Sequence, residues 1–194
     1  TTVEIVDIAG LVKGAIKGEG LGNKFLGNIR ETDAIIHVLR CFDDDNITHV
    51  DGSINPLRDK ETIDFELIIK DLETIDSRIN KVAKQAKTGG DKQAQKALTI
   101  LENYKSVLES GKAARVELDP ANRSLVSDLF LLTDKPVLYV CNVDDASVVN
   151  GNKYVDMVRP VIEEEKAGIL LISAATEADI ADLESYEEKQ MFLE

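Results

Sequence analysis

Three short groups of polar and small residues follow apolar runs, and each could act on a nucleotide. The first is Asp7-Ile8-Ala9-Gly10. A carboxylate there can hold Mg²⁺, directly or through water, and a glycine amide beside it can meet a γ-phosphate. The second is Asn142-Val143-Asp144-Asp145, where an asparagine and an acidic residue three positions on can clamp the edge of a purine. The third is Ser173-Ala174-Ala175, a tight turn whose backbone amides can contact the same base. Each is a weak signal alone, since chance produces D-x-x-G often. Their order, each at the end of an apolar run, carries the information. His49 lies in the acidic stretch DDDNITHVDG. Neighbouring carboxylates favour its protonated form, as for a solvated loop histidine. His37 falls inside an apolar run and reads as structural. No G-x-x-x-x-G-K-[ST] phosphate loop occurs anywhere in the 194 residues.

Strands must deliver these groups. Thr2–Ile8 alternates and then runs apolar, which predicts a buried strand ending at Ala9-Gly10. Ala34–Cys41, Val137–Cys141 and Ile169–Ile172 predict three more. Continuous apolar runs of this kind fit a parallel sheet covered on both faces, with ligands bound beyond the carboxyl ends of its strands. Helical stretches separate the later strands, so the class is α/β. Six of the 12 glycines crowd into residues 10–28, either a mobile loop or backbone that approaches a ligand closely. The middle differs. Ile68, Leu72, Ile75, Ile79, Val82 and Ala86 follow one another at alternating steps of four and three, a coiled-coil seam. A helix from Glu61 to Lys87 would be roughly 40 Å long. Thr88-Gly89-Gly90-Asp91 breaks it, and a second helix follows to about Ser110 with Ala94, Leu98, Leu101 and Leu108 on one side. Tyr104 or Lys105 fills the missing turn. The pair reads as an antiparallel αα-hairpin projecting from the α/β body. A third helix is expected over Asn122–Leu132, capped near Asp119-Pro120.

Composition bounds the partners. Lysine plus arginine is 23 and aspartate plus glutamate 36, a net charge of −13. That excess argues against a generic basic DNA-binding patch, and an aromatic content of 5 % without tryptophan argues against base-stacking platforms. Cys41 and Cys141, both in apolar runs, read as buried free thiols of a reducing compartment. No apolar run approaches the ~20 residues of a membrane span, and no secretory signal opens the chain. A soluble cytoplasmic protein is expected, with no membrane and no DNA partner. On the hairpin, Lys70, Arg78, Lys81, Lys84, Lys87, Lys92 and Lys96 could meet an RNA through its phosphates. A solvated face balanced by Asp71, Glu73, Asp76 and Asp91 explains them equally.

The stretch DIAGLVKGAIKGEGLGNKFLGNIRETDAIIHVLRCF resembles the Obg-like ATPase (YchF) family of P-loop NTPases, as do NITHVDGSINP and ISAATEADIADLE. The resemblance covers essentially the whole chain. It implies part of a Ras-like P-loop NTPase domain with a helical coiled-coil insertion, Mg²⁺-dependent ATP hydrolysis with GTP disfavoured, and ribosome association. On that pattern residues 1–60 and 134–194 form the nucleotide-binding domain and 61–133 the insertion. Asp7 belongs to the Mg²⁺ shell and Gly10 to the γ-phosphate, and Gly10 to about Arg30 is the second switch. Leu11 stands where Ras-like enzymes place a water-orienting glutamine. Leucine cannot orient water, and His49 is the family's proposed substitute. Asn142, Val143 and Asp145 fall on the base-recognition motif, and Ser173, Ala174 and Ala175 on the last motif. The family usually shows N-x-x-E, whereas this chain has N-V-D-D, with the acidic residue that GTPases use for guanine. ATP stays ahead of GTP. The family's phosphate loop and C-terminal TGS domain have no counterpart here, so the 194 residues read as a fragment inactive alone, with the parent protein as the enzyme. The alternatives are a GTPase with the same switch role, or a helical interaction module without catalysis.

Overall fold

The computed structural model describes residues 2–8, 21–44, 46–47, 52–89, 92–117, 120–183 and 185–193. In chain order the elements are α1 (Leu21–Glu31), β1 (Ile35–Arg40), α2 (Pro56–Gly89), α3 (Lys92–Glu109), the short α4 (Ala114–Glu117) and α5 (Pro120–Arg123), β2 (Val137–Asn142), α6 (Lys153–Glu164), β3 (Gly168–Ile172), α7 (Ala174–Asp182) and α8 (Tyr186–Leu193). They form two compact units: Thr1–Ile35 with Glu61–Pro136, and Ile36–Lys60 with Val137–Glu194.

The first unit is helical. The predicted seam is buried as one stripe: Ile68, Ile75 and Val82 are core residues, with Leu72, Ile79 and Ala86 packed against them. From α3 come Ala94, Ile100, Leu101, Tyr104 and Leu108. Tyr104 takes the turn the sequence left open, while Lys105 reaches Asp76 at 2.6 Å on the surface. Helix α2 starts at Pro56, earlier than the expected Glu61, because Asn55 caps it: its side chain accepts the Arg58 N–H at 3.0 Å. Of the hairpin cations, Lys70 pairs with Glu73 and Arg78 with Asp128.

Two expectations fail here. Thr2–Ile8 is not a strand but irregular chain, with Val3 81 % and Ile5 77 % exposed. Alternation makes a strand only where a neighbour takes its N–H and C=O groups, and among the described residues none pairs with it. The third helix, Asn122–Leu132, is also absent. In its place stand α5 and 3₁₀ turns at Ser127–Leu129 and Leu132–Asp134. Phe130 adopts φ +48°, and the N–H groups of Leu132 and Thr133 go to the carboxylate of Asp71 on α2. The N–H groups of Leu125, Val126, Leu129 and Phe130 close i→i−3 turns, and the buried acceptor on α2 takes the donors where the segment ends.

The second unit holds the three-stranded sheet, ordered β1-β2-β3. Strands β2 and β3 are parallel, with Leu138 opposite Gly168 and Asn142 opposite Ile172. The N–H of Ile35 donates to the Pro136 carbonyl and that of Cys41 to the Asn142 carbonyl, so β1 runs the same way. All three strands therefore end on one side. One sheet face carries the core: Leu39, Cys41, Tyr139, Cys141 and Val143 pack with Val155, Val158 and Ile162 of α6. Both cysteines are buried free thiols, as expected. The hydrogen bond to Cys141 and burial together hold the Cys41 thiol up, in its protonated form.

Candidate nucleotide-binding site

The strand ends of the second unit bring together most of the residues the sequence singled out. Strand β2 ends on Asn142 and β3 on Ile172, which stand opposite each other in register. The N–H of Val143 donates to the Ile172 carbonyl at 2.8 Å, extending the ladder one step and burying Val143. From there both chains turn. Asn142 Oδ1 accepts the N–H of Ala174 at 3.0 Å, which fixes the orientation of the amide. Its Nδ2 has no hydrogen-bond partner among the described residues, so the group left over is a donor, suited to a ring nitrogen of a purine.

Ser173 is buried and caps α7, its side chain accepting from Thr176 N–H at 3.4 Å. The same hydroxyl lies 2.8 Å from Thr176 Oγ1. Thr176 Oγ1 then donates to Asp145 Oδ1 at 3.0 Å. Asp145 opens a 3₁₀ turn, Asp145–Ser147, and its side chain is otherwise exposed. Hydrogen bonds thus tie Asn142 to Ala174, Val143 to Ile172 and Asp145 through Thr176 to Ser173, so the two strand ends are joined at three places. Ala175 follows in the first turn of α7, exposed. The arrangement presents an amide donor, a carboxylate acceptor and a helix start beside each other, which can read the edge of a heterocyclic base.

The remaining candidates are Asp7, Gly10 and His49. Asp7 is exposed in the irregular residues of the first unit. Gly10 and His49 lie outside the described residues. The loop toward His49 is described in part: Arg40 Nη1 donates to the Ile47 carbonyl at 2.9 Å, and its Nε and Nη2 to the carbonyls of Phe42 and Asp44 at 3.2 Å each. Among the described residues no group of three or more His, Cys, Asp or Glu side chains could hold a metal. Magnesium in nucleotide sites takes one or two carboxylates plus phosphates and water, so a lone exposed Asp7 fits that chemistry.

Sequence reading missed three participants. Thr176 stands three residues after Ser173, the spacing of an N-cap and its partner, which could have flagged it. Arg40, closing an apolar strand, is a cation where a strand pattern expects none. Asn152 caps α6, and asparagine before a helical run was a readable signal.

Comparison with known proteins places the chain in a family. The family model described as "50S ribosome-binding GTPase" matches residues 1–103. The chain is 51 % identical to the ribosome-binding ATPase YchF of Bacillus subtilis over 197 residues, covering 100 % of this chain and 53 % of that protein. It is 39 % identical to Obg-like ATPase 1 of Gallus gallus, covering 99 % of this chain and 50 % of the relative. The solved structure of the Schizosaccharomyces pombe YchF GTPase superposes with a TM-score of 0.79 at 33 % identity, over 95 % of this chain and 51 % of that one. The chain spans about half the length of the curated relatives it matches. By fold, motif placement and likeness along its whole length, the chain belongs to the YchF/Obg-like ATPase family of P-loop NTPases.

Proposed function

We propose that this chain supplies the base-recognition part of a Mg²⁺-dependent, cytoplasmic NTPase that hydrolyses ATP and works as a switch at the ribosome. One observation carries the reading: Asn142, Asp145, Ser173 and Ala174 converge at the carboxyl ends of two parallel strands, where open α/β sheets bind ligands. Residues 1–60 and 134–194 make up the nucleotide-binding domain in this reading, with 61–133 as its insertion. Asn142 donates from Nδ2 to the base, Asp145 accepts from it with its free oxygen, and the turn at Val143 and Ser173–Ala175 flanks it. Asp7 would hold the magnesium, whose charge offsets that developing on the phosphates. Gly10 would donate its amide to the γ-phosphate, and His49 would orient water where Leu11 cannot. The relatives named for ribosome binding and ATP support both assignments. Since no phosphate-loop motif lies within these 194 residues, the chain alone is proposed to turn ATP over poorly, and the longer protein to be the enzyme.

A second reading rests on one residue. Asp145 is the acceptor that suits the adjacent N–H donors of guanine, which favours GTP. Calorimetric titration with ATP·Mg²⁺ and GTP·Mg²⁺, on the chain and on the longer protein, tests both. The proposal expects the longer protein to bind ATP in preference and to need magnesium. Preference for GTP would move the assignment to the second reading. Binding of neither nucleotide by the longer protein would end both, and wild-type turnover by the 194 residues would refute the inactivity of the chain alone.

A further inference from the structure

The turn that carries Asp145 is held from behind by one side chain. Gly151 stands at φ +75°, where a Cβ would lie 3.3 Å from Val155, and it delivers Asn152 to the start of α6. Asn152 Oδ1 accepts the N–H groups of Tyr154 at 3.0 Å and Val155 at 3.2 Å, an N-cap. Its Nδ2 faces the other way. It donates to the Cys41 carbonyl at the end of β1, at 2.8 Å, and to Ser147 Oγ at 3.3 Å. Ser147 is buried, and its hydroxyl donates to Asp144 Oδ1 at 2.8 Å while its N–H reaches the Asp144 carbonyl at 3.0 Å. Both ends of the Asn152 amide are therefore in use, joining the end of β1, the Asp144–Ser147 turn and the start of α6.

Capping alone does not require asparagine. Serine, threonine and aspartate cap as well, since only an acceptor is needed. The second task needs an amide: a carboxylate would set an oxygen against the Cys41 carbonyl and lose both donors. The same junction is closed a second time by Asp43, two residues beyond Cys41. Its carboxylate accepts from the Tyr154 hydroxyl and pairs with Lys153 at 3.1 Å.

We infer that Asn152 is a positioning residue for base recognition: by tying the Asp144–Ser147 turn to β1, it sets where Asp145 meets the base. The inference rests on the nucleotide reading above and goes one step beyond it, to a residue that touches no ligand.

The test uses the longer protein and the variants N152D and S147A. N152D keeps the cap and removes the donors. S147A leaves the cap untouched and removes the hydroxyl link. The expected result for N152D is a KM for the preferred nucleoside triphosphate raised about tenfold, the scale of one lost anchoring hydrogen bond, with kcat falling far less. Discrimination between ATP and GTP narrows, while affinity for inorganic tripolyphosphate, which has no base, stays as in the parent. S147A shifts KM and discrimination the same way by a smaller factor, and it carries the test if N152D fails to fold. Unchanged discrimination in both variants overturns the inference, and so does equal weakening of nucleotide and tripolyphosphate. In either case the nucleotide reading survives if the parent protein binds ATP or GTP. If the parent binds neither, both fall.

Discussion

Asp71 gives the sharpest test of how the helical unit is held. It is fully buried on α2, yet it is a carboxylate. Its Oδ1 accepts the Leu132 N–H at 2.8 Å, and its Oδ2 accepts the Thr133 N–H at 2.8 Å and the Thr133 hydroxyl at 2.7 Å. Replacing it by alanine leaves three donors without this acceptor. A buried unsatisfied donor costs about 1–3 kcal/mol, and local relaxation recovers part, so Asp71→Ala should cost about 3–5 kcal/mol. Asp71→Asn keeps one oxygen but turns an NH₂ toward a donor, and should cost about 2–3 kcal/mol. Urea denaturation followed by circular dichroism at 222 nm measures both. The pH dependence has a definite sign. Burial pushes the Asp71 carboxyl above its ordinary value, against the pull of its hydrogen bonds. Folding therefore favours the protonated form, and the stability linked to that proton is complete below the unfolded value of about 3.9. It is lost as pH rises through the folded value. Asparagine does not titrate, so the penalty of Asp71→Asn should shrink as pH rises across that window. An Asp71→Asn chain as stable as the parent at neutral pH, or a penalty that grows with pH, would refute the reasoning.

Other expectations follow from the packing and the site. Ile75→Ala empties a fully buried position in the hairpin seam and should cost about 3–4 kcal/mol in the same denaturation assay. Arg78→Ala, which removes a largely exposed pair with Asp128, should change stability by less than about 1 kcal/mol. Lys60→Met removes the buried cation paired with Glu165, whose other oxygen accepts the Tyr139 hydroxyl at 3.0 Å. It should cost about 3–5 kcal/mol, and adding Glu165→Gln should recover part of that loss, since a neutral amide needs no cation. Asp145→Ala in the longer protein should weaken nucleotide binding about tenfold or more by calorimetry. An unchanged affinity there would remove Asp145 from the base site.

What could be read from the sequence depended on whether the signal was local. The hairpin seam needs only spacing, and Ile68 to Ala86 pack as that spacing says. Strands β1, β2 and β3 are dense apolar runs, and each lies within about a residue of its expected span. Thr2–Ile8 has a similar pattern, but a strand is a property of two chains and its pattern names no neighbour. The Asn122–Leu132 segment failed for a related reason: its donors at Leu125, Val126, Leu129 and Phe130 close tighter i→i−3 turns, and the Leu132 N–H that ends it goes to Asp71, 61 residues away in the chain.

The candidate site divides along the same line. Asn142, Asp145 and Ser173 were legible because strand ends place them, and the backbone register then brings them together. Their partners were legible only as helix caps: spacing marks Thr176 and Asn152 at helix starts, but not that the Thr176 hydroxyl reaches Asp145 or that the Asn152 amide reaches Ser147. This bears on nucleotide preference. Comparing aspartate with glutamate in the fourth place of N-x-x-[DE] treats the carboxylate as free, whereas one oxygen of Asp145 already accepts from Thr176. In the proposed reading a base would meet one free oxygen and one that already accepts from Thr176 and keeps a second lone pair. The proposed reading thus makes the choice between adenine and guanine depend jointly on Asp145, on Thr176 in front of it and on the turn anchored behind it.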